Sequence, residues 1–139
     1  MTNELPSMTL KAIGVVRRRE AVCHIVVDSS LTEALDGLEE FSHIIVLYWM
    51  HQATRQPPTK VHPMGRQELP LVGLFATRAP YRPNPVGKAT VRLLERQSNM
   101  LKVEGLDAID GTPVIDIKPY IPGYDSATNA KVPPWITNQ

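Results

Sequence analysis

One segment limits the choice of fold more than any other. Phe41–Met50, FSHIIVLYWM, is apolar at nearly every position, which suits a strand covered on both faces better than a half-exposed one. It is the expected central strand. Its apolar part, Ile44–Met50, is the longest such stretch in the chain and falls far short of the roughly 20 residues a membrane helix requires. The start, MTNELPSM, has no basic region followed by an apolar run. We therefore expect a soluble, cytoplasmic protein with no membrane partner.

The other apolar runs are shorter. Met8–Val16 and Ala21–Asp28 are β-branched segments separated by the charged stretch Arg17–Glu20, the pattern of an antiparallel hairpin. Ser30 with Glu33 forms a capping-box signature, and Gly37 is placed to stop a helix of about two turns. Gln52–Pro70 carries four prolines, a glycine and three Lys or Arg residues without a sustained period. It reads as a long connection, of the kind that is usually functional or mobile.

Val72–Ala76 is a brief strand. Lys88–Arg96 and Met100–Leu106 flank the turn Ser98-Asn99, although VRLLER would also suit a helix. Asp110-Gly111 signals a further turn, and Val114–Lys118 alternates apolar with polar before a proline-rich tail over residues 119–139. Six or seven short strands and one short helix in 139 residues point to a single, mainly β domain. A small closed or partly closed antiparallel β-barrel is the simplest way to hide the sheet edges.

Charge does not decide the function. With 15 basic and 14 acidic side chains, any attraction to nucleic acid must come from a local patch. Arg17, Arg18 and Arg19 with Lys60, Arg66 and Lys88 would form one if the fold gathers them, and a solvated turn explains the triple arginine as well. Cys23, the single cysteine, sits in an apolar run and reads as a buried small hydrophobe. His43 and His51 would share a face of one continuous strand, but His24 and His62 lie elsewhere, so we expect no metal. His43 itself reads as a hydrogen-bonded core histidine. Neither a dinucleotide-binding nor a P-loop glycine motif occurs.

The segment Gly73–Pro85, GLFATRAPYRPNP, is the strongest candidate site. Ala79, Arg82 and Asn84 each precede a proline and are restrained by it, so Pro80–Pro85 should be extended and nearly rigid. A loop ordered in advance loses less entropy when its polar groups meet a ligand. Arginine forks match carboxylates and phosphates, and asparagine both donates and accepts. A second constellation runs from Asp107 to Tyr120. Asp110 reads as a turn residue bonding amides near Gly111, whereas Asp116, between Ile115 and Ile117, would need a partner such as Lys118, Arg78 or a cation.

Three ordered segments together resemble one family: GLEEFSHIIVLYWMH (residues 37–51), GLFATRAPYRPNPVG (73–87) and DGTPVIDIKPYIPGYD (110–125). They are similar to the TrmO family of S-adenosylmethionine-dependent tRNA methyltransferases, over about Leu10 to Asp125. Position 79 is alanine where many relatives carry serine, and longer relatives have an additional C-terminal region. The resemblance implies a compact barrel homodimer that binds S-adenosyl-L-methionine near the dimer interface. Its substrate would be the N6 atom of threonylcarbamoyladenosine, beside the anticodon at position 37 of threonine tRNA.

The resemblance also implies a division of roles. Phe75, Ala76, Thr77 and Arg78 with Asp110, Gly111, Thr112 and Pro113 would bind the cofactor. Arg82, Asn84, Lys118 and Tyr120 would hold the RNA, by its phosphate or by the acid group of the modification. Asp116, Tyr81 or His43 would take the N6 proton. The residues alone leave open a noncatalytic barrel that binds the cofactor or RNA.

Overall fold

The computed structural model describes residues 4–136. Among them the chain forms strands β1 (Gly14–Arg19), β2 (Val22–Val27), β3 (His43–Trp49), β4 (Lys60–Val61), β5 (Val72–Gly73), β6 (Val86–Gln97), β7 (Met100–Glu104) and β8 (Pro113–Pro119). Six of these close into an antiparallel barrel in the order β1-β2-β7-β6-β3-β8, with β8 returning to β1. The short strands β4 and β5 pair with each other as a separate ribbon.

Alternation along each strand fills the barrel. Val16, Ile25, Ile44, Val46, Val91, Leu101 and Val114 point inward and are each less than 2% exposed. Burying one such side chain contributes about 1.5–3 kcal/mol, and a barrel this small is filled by side chains rather than by a ligand. Cys23 joins that core, where burial pushes its thiol up, as expected of a small hydrophobe.

β3 is central, paired to β6 on one side and β8 on the other. Its inner residues Ile44 and Val46 are fully buried. Ile45 is buried without belonging to the barrel core, and Leu47 and Trp49 on the same outer face are half-buried. Across from it, Val114 and Ile117 of β8 both face the core although three residues apart. The register shift opposite Leu47 and Tyr48 makes that possible by absorbing one residue.

Several boundaries differ from the sequence expectation. β1 begins at Gly14, not Met8, and the three arginines lie within it, the turn falling at Glu20-Ala21. A barrel strand has a solvent face, so a charged residue such as Arg17 does not end it. The strand β5 stops at Gly73 and passes into a 3-10 turn, Leu74–Ala76. Residues Ser29–Leu35 and Leu38–Glu40 are likewise 3-10 turns rather than an α-helix. Asp28, not Ser30, caps the first, its carboxylate accepting from the Ser30 amide and hydroxyl at 2.9 Å each. Arg96 pins these turns to the barrel by pairing with Asp36 at 3.0 Å and Glu39 at 3.1 Å and donating to the Thr32 carbonyl. The α-helical turn lies in the tail, at Pro122–Asp125.

Gly87 shows how tightly β6 meets β3. It pairs with Tyr48, whose ring lies so close that a Cβ on Gly87 would sit 2.3 Å from a ring carbon. Gly87→Ala should therefore lower stability by about 1–3 kcal/mol through overpacking, read by urea unfolding. Gly73→Ala, with nothing within 4 Å of its Cβ position, serves as control, and equal effects would refute the packing account. Burial, and then the charge of Asp107, push the Tyr48 phenol up. One of the four tyrosines should thus ionise late in a phenolate absorbance titration, and Tyr48→Phe should remove that step. The sign follows: the fold favours the neutral phenol, so stability is unaffected below the ordinary value of about 10 and falls as pH rises past it.

Candidate functional site

The excursion from β3 to β6 leaves and rejoins the barrel at one end. Trp49 pairs with Val86, and Tyr48 with both Gly87 and Val114. The loop ending at Pro85 and the turn ending at Thr112 therefore enter on either side of the end of β3, roughly 10 Å apart at two strand spacings. The two segments that the sequence singled out share this end of the barrel.

Proline is only part of what stiffens the loop. Arg82 turns back along it, Nη1 donating to the Thr77 carbonyl at 2.8 Å and the Ala79 carbonyl at 3.1 Å, and its guanidinium lies 5.6 Å from the Phe75 ring centroid. The Thr77 hydroxyl donates to the Leu74 carbonyl at 2.7 Å and accepts from the Ala79 amide at 3.3 Å. Pro85 is buried, and its carbonyl accepts from the Met50 amide at 2.8 Å. Arg82 is thus a brace of the loop.

This stiff segment forms one wall of a groove of about 1000 Å³. Phe75, Ala76, Thr77, Arg78 and Tyr81 line that wall; Arg55, Val61, His62 and Met64 of the long connection line another; Val132, Trp135 and Ile136 of the tail complete it. Phe75 is 77% exposed, so most of its ring remains open to the groove. The Arg55 guanidinium stands 4.1 Å over the Tyr81 ring. The groove's lining, among the described residues, contains arginines and a histidine but no Asp or Glu.

The second constellation is largely engaged in closing the barrel. The Asp110 carboxylate accepts from the Arg18 amide at 2.8 Å, not from amides near Gly111. Gly111, in the left-handed region at φ 86°, donates to the Val16 carbonyl at 2.8 Å, and Thr112 accepts from the Val16 amide at 2.9 Å. Thr112 is 2% exposed, and its hydroxyl donates to the Ile109 carbonyl at 2.7 Å. That hydroxyl is engaged within the turn. Arg18 supports the same turn by donating to the Ala108 carbonyl at 3.0 Å and to the Leu106 carbonyl. Pro113 starts β8.

The remaining candidates are spread along the barrel. Asp116 and Lys118 face outward from β8 and pair at 2.9 Å, which draws the lysine's ionisation upward. Lys118 is therefore the partner that Asp116 needed. His43 is exposed rather than in the core, hydrogen-bonded through Nδ1 to Ser42 at 2.7 Å, because it starts β3 instead of sitting within it. It meets Tyr120 edge-on at 6.4 Å, at the far end of β3 from the groove. Asn84 is exposed beside the entry to β6. The expected arginine and lysine patch does not assemble. Arg17 and Arg19 lie on β1, three strands from Lys88 on β6; Arg18 holds carbonyls, and Arg66 pairs with Glu68 at 2.6 Å.

Arg55 and Trp135 escaped the sequence reading, and His51 was weighed there only as a metal ligand. His51 is past the end of β3, so it does not share a strand face with His43. Its Nδ1 is buried with no hydrogen-bond partner among the described residues. Only the length and proline content of residues 52–70 pointed toward Arg55, and nothing periodic marked Trp135.

The brace can be tested directly. Arg82→Lys, which keeps the charge but not the planar fork, should speed amide hydrogen exchange in residues 77–84 while leaving the core strands protected. Unchanged exchange in the loop would show that its prolines suffice.

Residues 13–126 match the family described as the tRNA-methyltransferase O N-terminal domain. The chain is 52% identical over 100 residues to a probable S-adenosyl-L-methionine-binding protein of Archaeoglobus fulgidus, covering 72% of this chain and 26% of that one. It is 45% identical over 112 residues to another of Methanocaldococcus jannaschii, covering 78% and 89%. With the tRNA (adenine(37)-N6)-methyltransferase of Escherichia coli the identity is 37% over 124 residues, covering 84% and 52%. Two crystal structures of TrmO superimpose with TM-scores of 0.74 and 0.72, each at 31% identity. The first covers 93% of this chain and 66% of its own; the second, from Pseudomonas aeruginosa, covers 91% and 62%. The chain thus spans from a quarter to nine-tenths of the length of the relatives it matches. A family match across the whole barrel and the groove-forming excursion, with agreement in fold, places this chain in the tRNA-methyltransferase O family.

Proposed function

We propose that this protein is an S-adenosyl-L-methionine-dependent methyltransferase acting on N6 of an adenosine in tRNA, with threonylcarbamoyladenosine at position 37 of threonine tRNA as the acceptor. The observation that carries this reading is the groove of about 1000 Å³ whose wall is held by Arg82. Ligand pockets commonly span about 300–1000 Å³, so this one has room for a donor nucleoside and a splayed-out base side by side. A base in an anticodon loop can be presented in that way.

Bound S-adenosylmethionine supplies an already activated methyl group, so the protein's main task is alignment. The residues fit that ligand. Arg78 is exposed on the groove wall with N–H donors for a carboxylate, and the uncovered Phe75 ring offers a face to a sulfonium or an adenine. Ala76 contributes through backbone groups, whereas the hydroxyl, amide and carbonyl of Thr77 are engaged within the loop.

Of the three candidates for the N6 proton, Tyr81 alone lines the groove. Asp116 lies outside it on β8, and His43 stands at the opposite end of β3. A homodimer is part of this reading. The outward strip of Leu47, Trp49 and Val86 offers apolar surface beside Asp116, and a second copy packed there would bring the β8 face and a groove into one site. Light scattering should then give twice the chain mass, and a monomer would remove this element.

Purified protein with S-adenosylmethionine and threonine tRNA should yield a nucleoside heavier by one methyl in mass spectra of digests. Arg78→Ala should lower kcat/KM by about 10- to 100-fold, the usual cost of a lost charged hydrogen bond. Cofactor-induced thermal stabilisation without product from any tRNA pool would instead indicate a binding module.

A further inference from the structure

We infer that Arg55 is the residue that grips an oxyanion of the acceptor nucleotide, and that it does so separately from the cofactor. The inference deepens the methyltransferase assignment and rests on it. It starts from a charge count. The groove presents Arg55, Arg78 and His62 and, in its described lining, no carboxylate. S-adenosylmethionine brings one carboxylate together with a sulfonium and an ammonium, so it can neutralise one arginine and leaves the groove more positive than before. A second anion is needed, and a tRNA acceptor brings it as a backbone phosphate or as the acid group of a base modification. Both are planar or tetrahedral oxyanions that match a guanidinium fork.

The two arginines come from different segments and are held differently. Arg78 shares the wall with Phe75, where the donor fits. Arg55 comes from the opposite connection and is held over the Tyr81 ring at 4.1 Å. Stacking fixes the plane of a guanidinium without consuming its N–H groups, and Arg55 makes no hydrogen bond or ion pair among the described residues. Arg82 is not part of the groove lining, and its Nη1 is held by two loop carbonyls. The Arg55 fork is thus ordered, unspent and beside Tyr81, the candidate that faces the reacting base.

The position is exposed, so Arg55→Ala is expected to fold with an unchanged melting temperature. Affinity for threonine tRNA, measured at fixed salt by filter binding, should fall about tenfold or more in Arg55→Ala and be partly kept in Arg55→Lys, which retains charge without the fork. Affinity for S-adenosylhomocysteine, measured by calorimetry, should stay at the wild-type value. Comparing fully modified tRNA with an unmodified transcript identifies the anion: an equal loss for both assigns Arg55 to a phosphate, and a loss confined to modified tRNA assigns it to the modification's carboxylate. Unchanged tRNA affinity in Arg55→Ala would overturn the inference, as would a parallel fall in S-adenosylhomocysteine affinity, which would give Arg55 to the cofactor. Arg55-dependent tRNA binding by a protein with no affinity for S-adenosylhomocysteine would instead sink the methyltransferase assignment and leave the anion contact standing.

Discussion

Closure of the sheet through the β1–β8 pair is the constraint from which the other features follow. Six strands leave an interior that Val16, Ile25, Ile44, Val46, Val91, Leu101 and Val114 fill, each less than 2% exposed. A solid barrel has no internal site to offer. Closure also demands close backbone approach where strands meet: a Cβ on Gly14 would lie 2.7 Å from the Val26 carbonyl oxygen. Ligand chemistry is thereby displaced to the ends and the outer face, and the one excursion long enough to build a concave wall is the segment between β3 and β6.

That segment illustrates how arginines divide between scaffold and ligand. Arg18 and Arg82 both donate to main-chain carbonyls of loops at the same end of the barrel, one fixing the turn before β8 and the other the wall before β6. Backbone carbonyls in irregular loops lack ladder partners, and a planar multi-donor side chain satisfies several at once. With those two arginines committed, Arg55 and Arg78 remain to face the groove. The division gives a rigid wall and free cations together, which is what a reaction governed by alignment requires.

Much of the architecture was legible in the residues. The apolar run of Phe41–Met50 became the central strand, Ser98-Asn99 and Asp110-Gly111 became turns, and the barrel closed as the short β-branched segments implied. Local helix signals were weaker guides. The pattern at Ser30 and Glu33 is satisfied by an Asp28 cap on a 3-10 turn, because Arg96 from β6 holds that segment, and no local pattern reports a contact 60 residues away. At the site, the proline-rich loop was visible from its composition, and its wall lines the groove. Which of its arginines faces inward was not visible, since that depends on where unpaired carbonyls fall in three dimensions. The structural part played by the DGTP segment was equally invisible: a buried Thr112 and an Asp110 bound to the Arg18 amide serve closure of the barrel. Arg55 and Trp135 come from connections with no periodicity, so only the folded chain brings them together.

The central claim is that a rigid Phe75–Tyr81 wall, anchored outside a filled barrel, receives the methyl donor. A crystal structure of the protein with S-adenosylhomocysteine tests this most directly. The account predicts density for the ligand against Phe75 and Arg78, with Arg82 still bonded to the Thr77 and Ala79 carbonyls. Density on the β1–β2–β7 face, or a loop rearranged so that Arg82 leaves those carbonyls to grip the ligand, would contradict it.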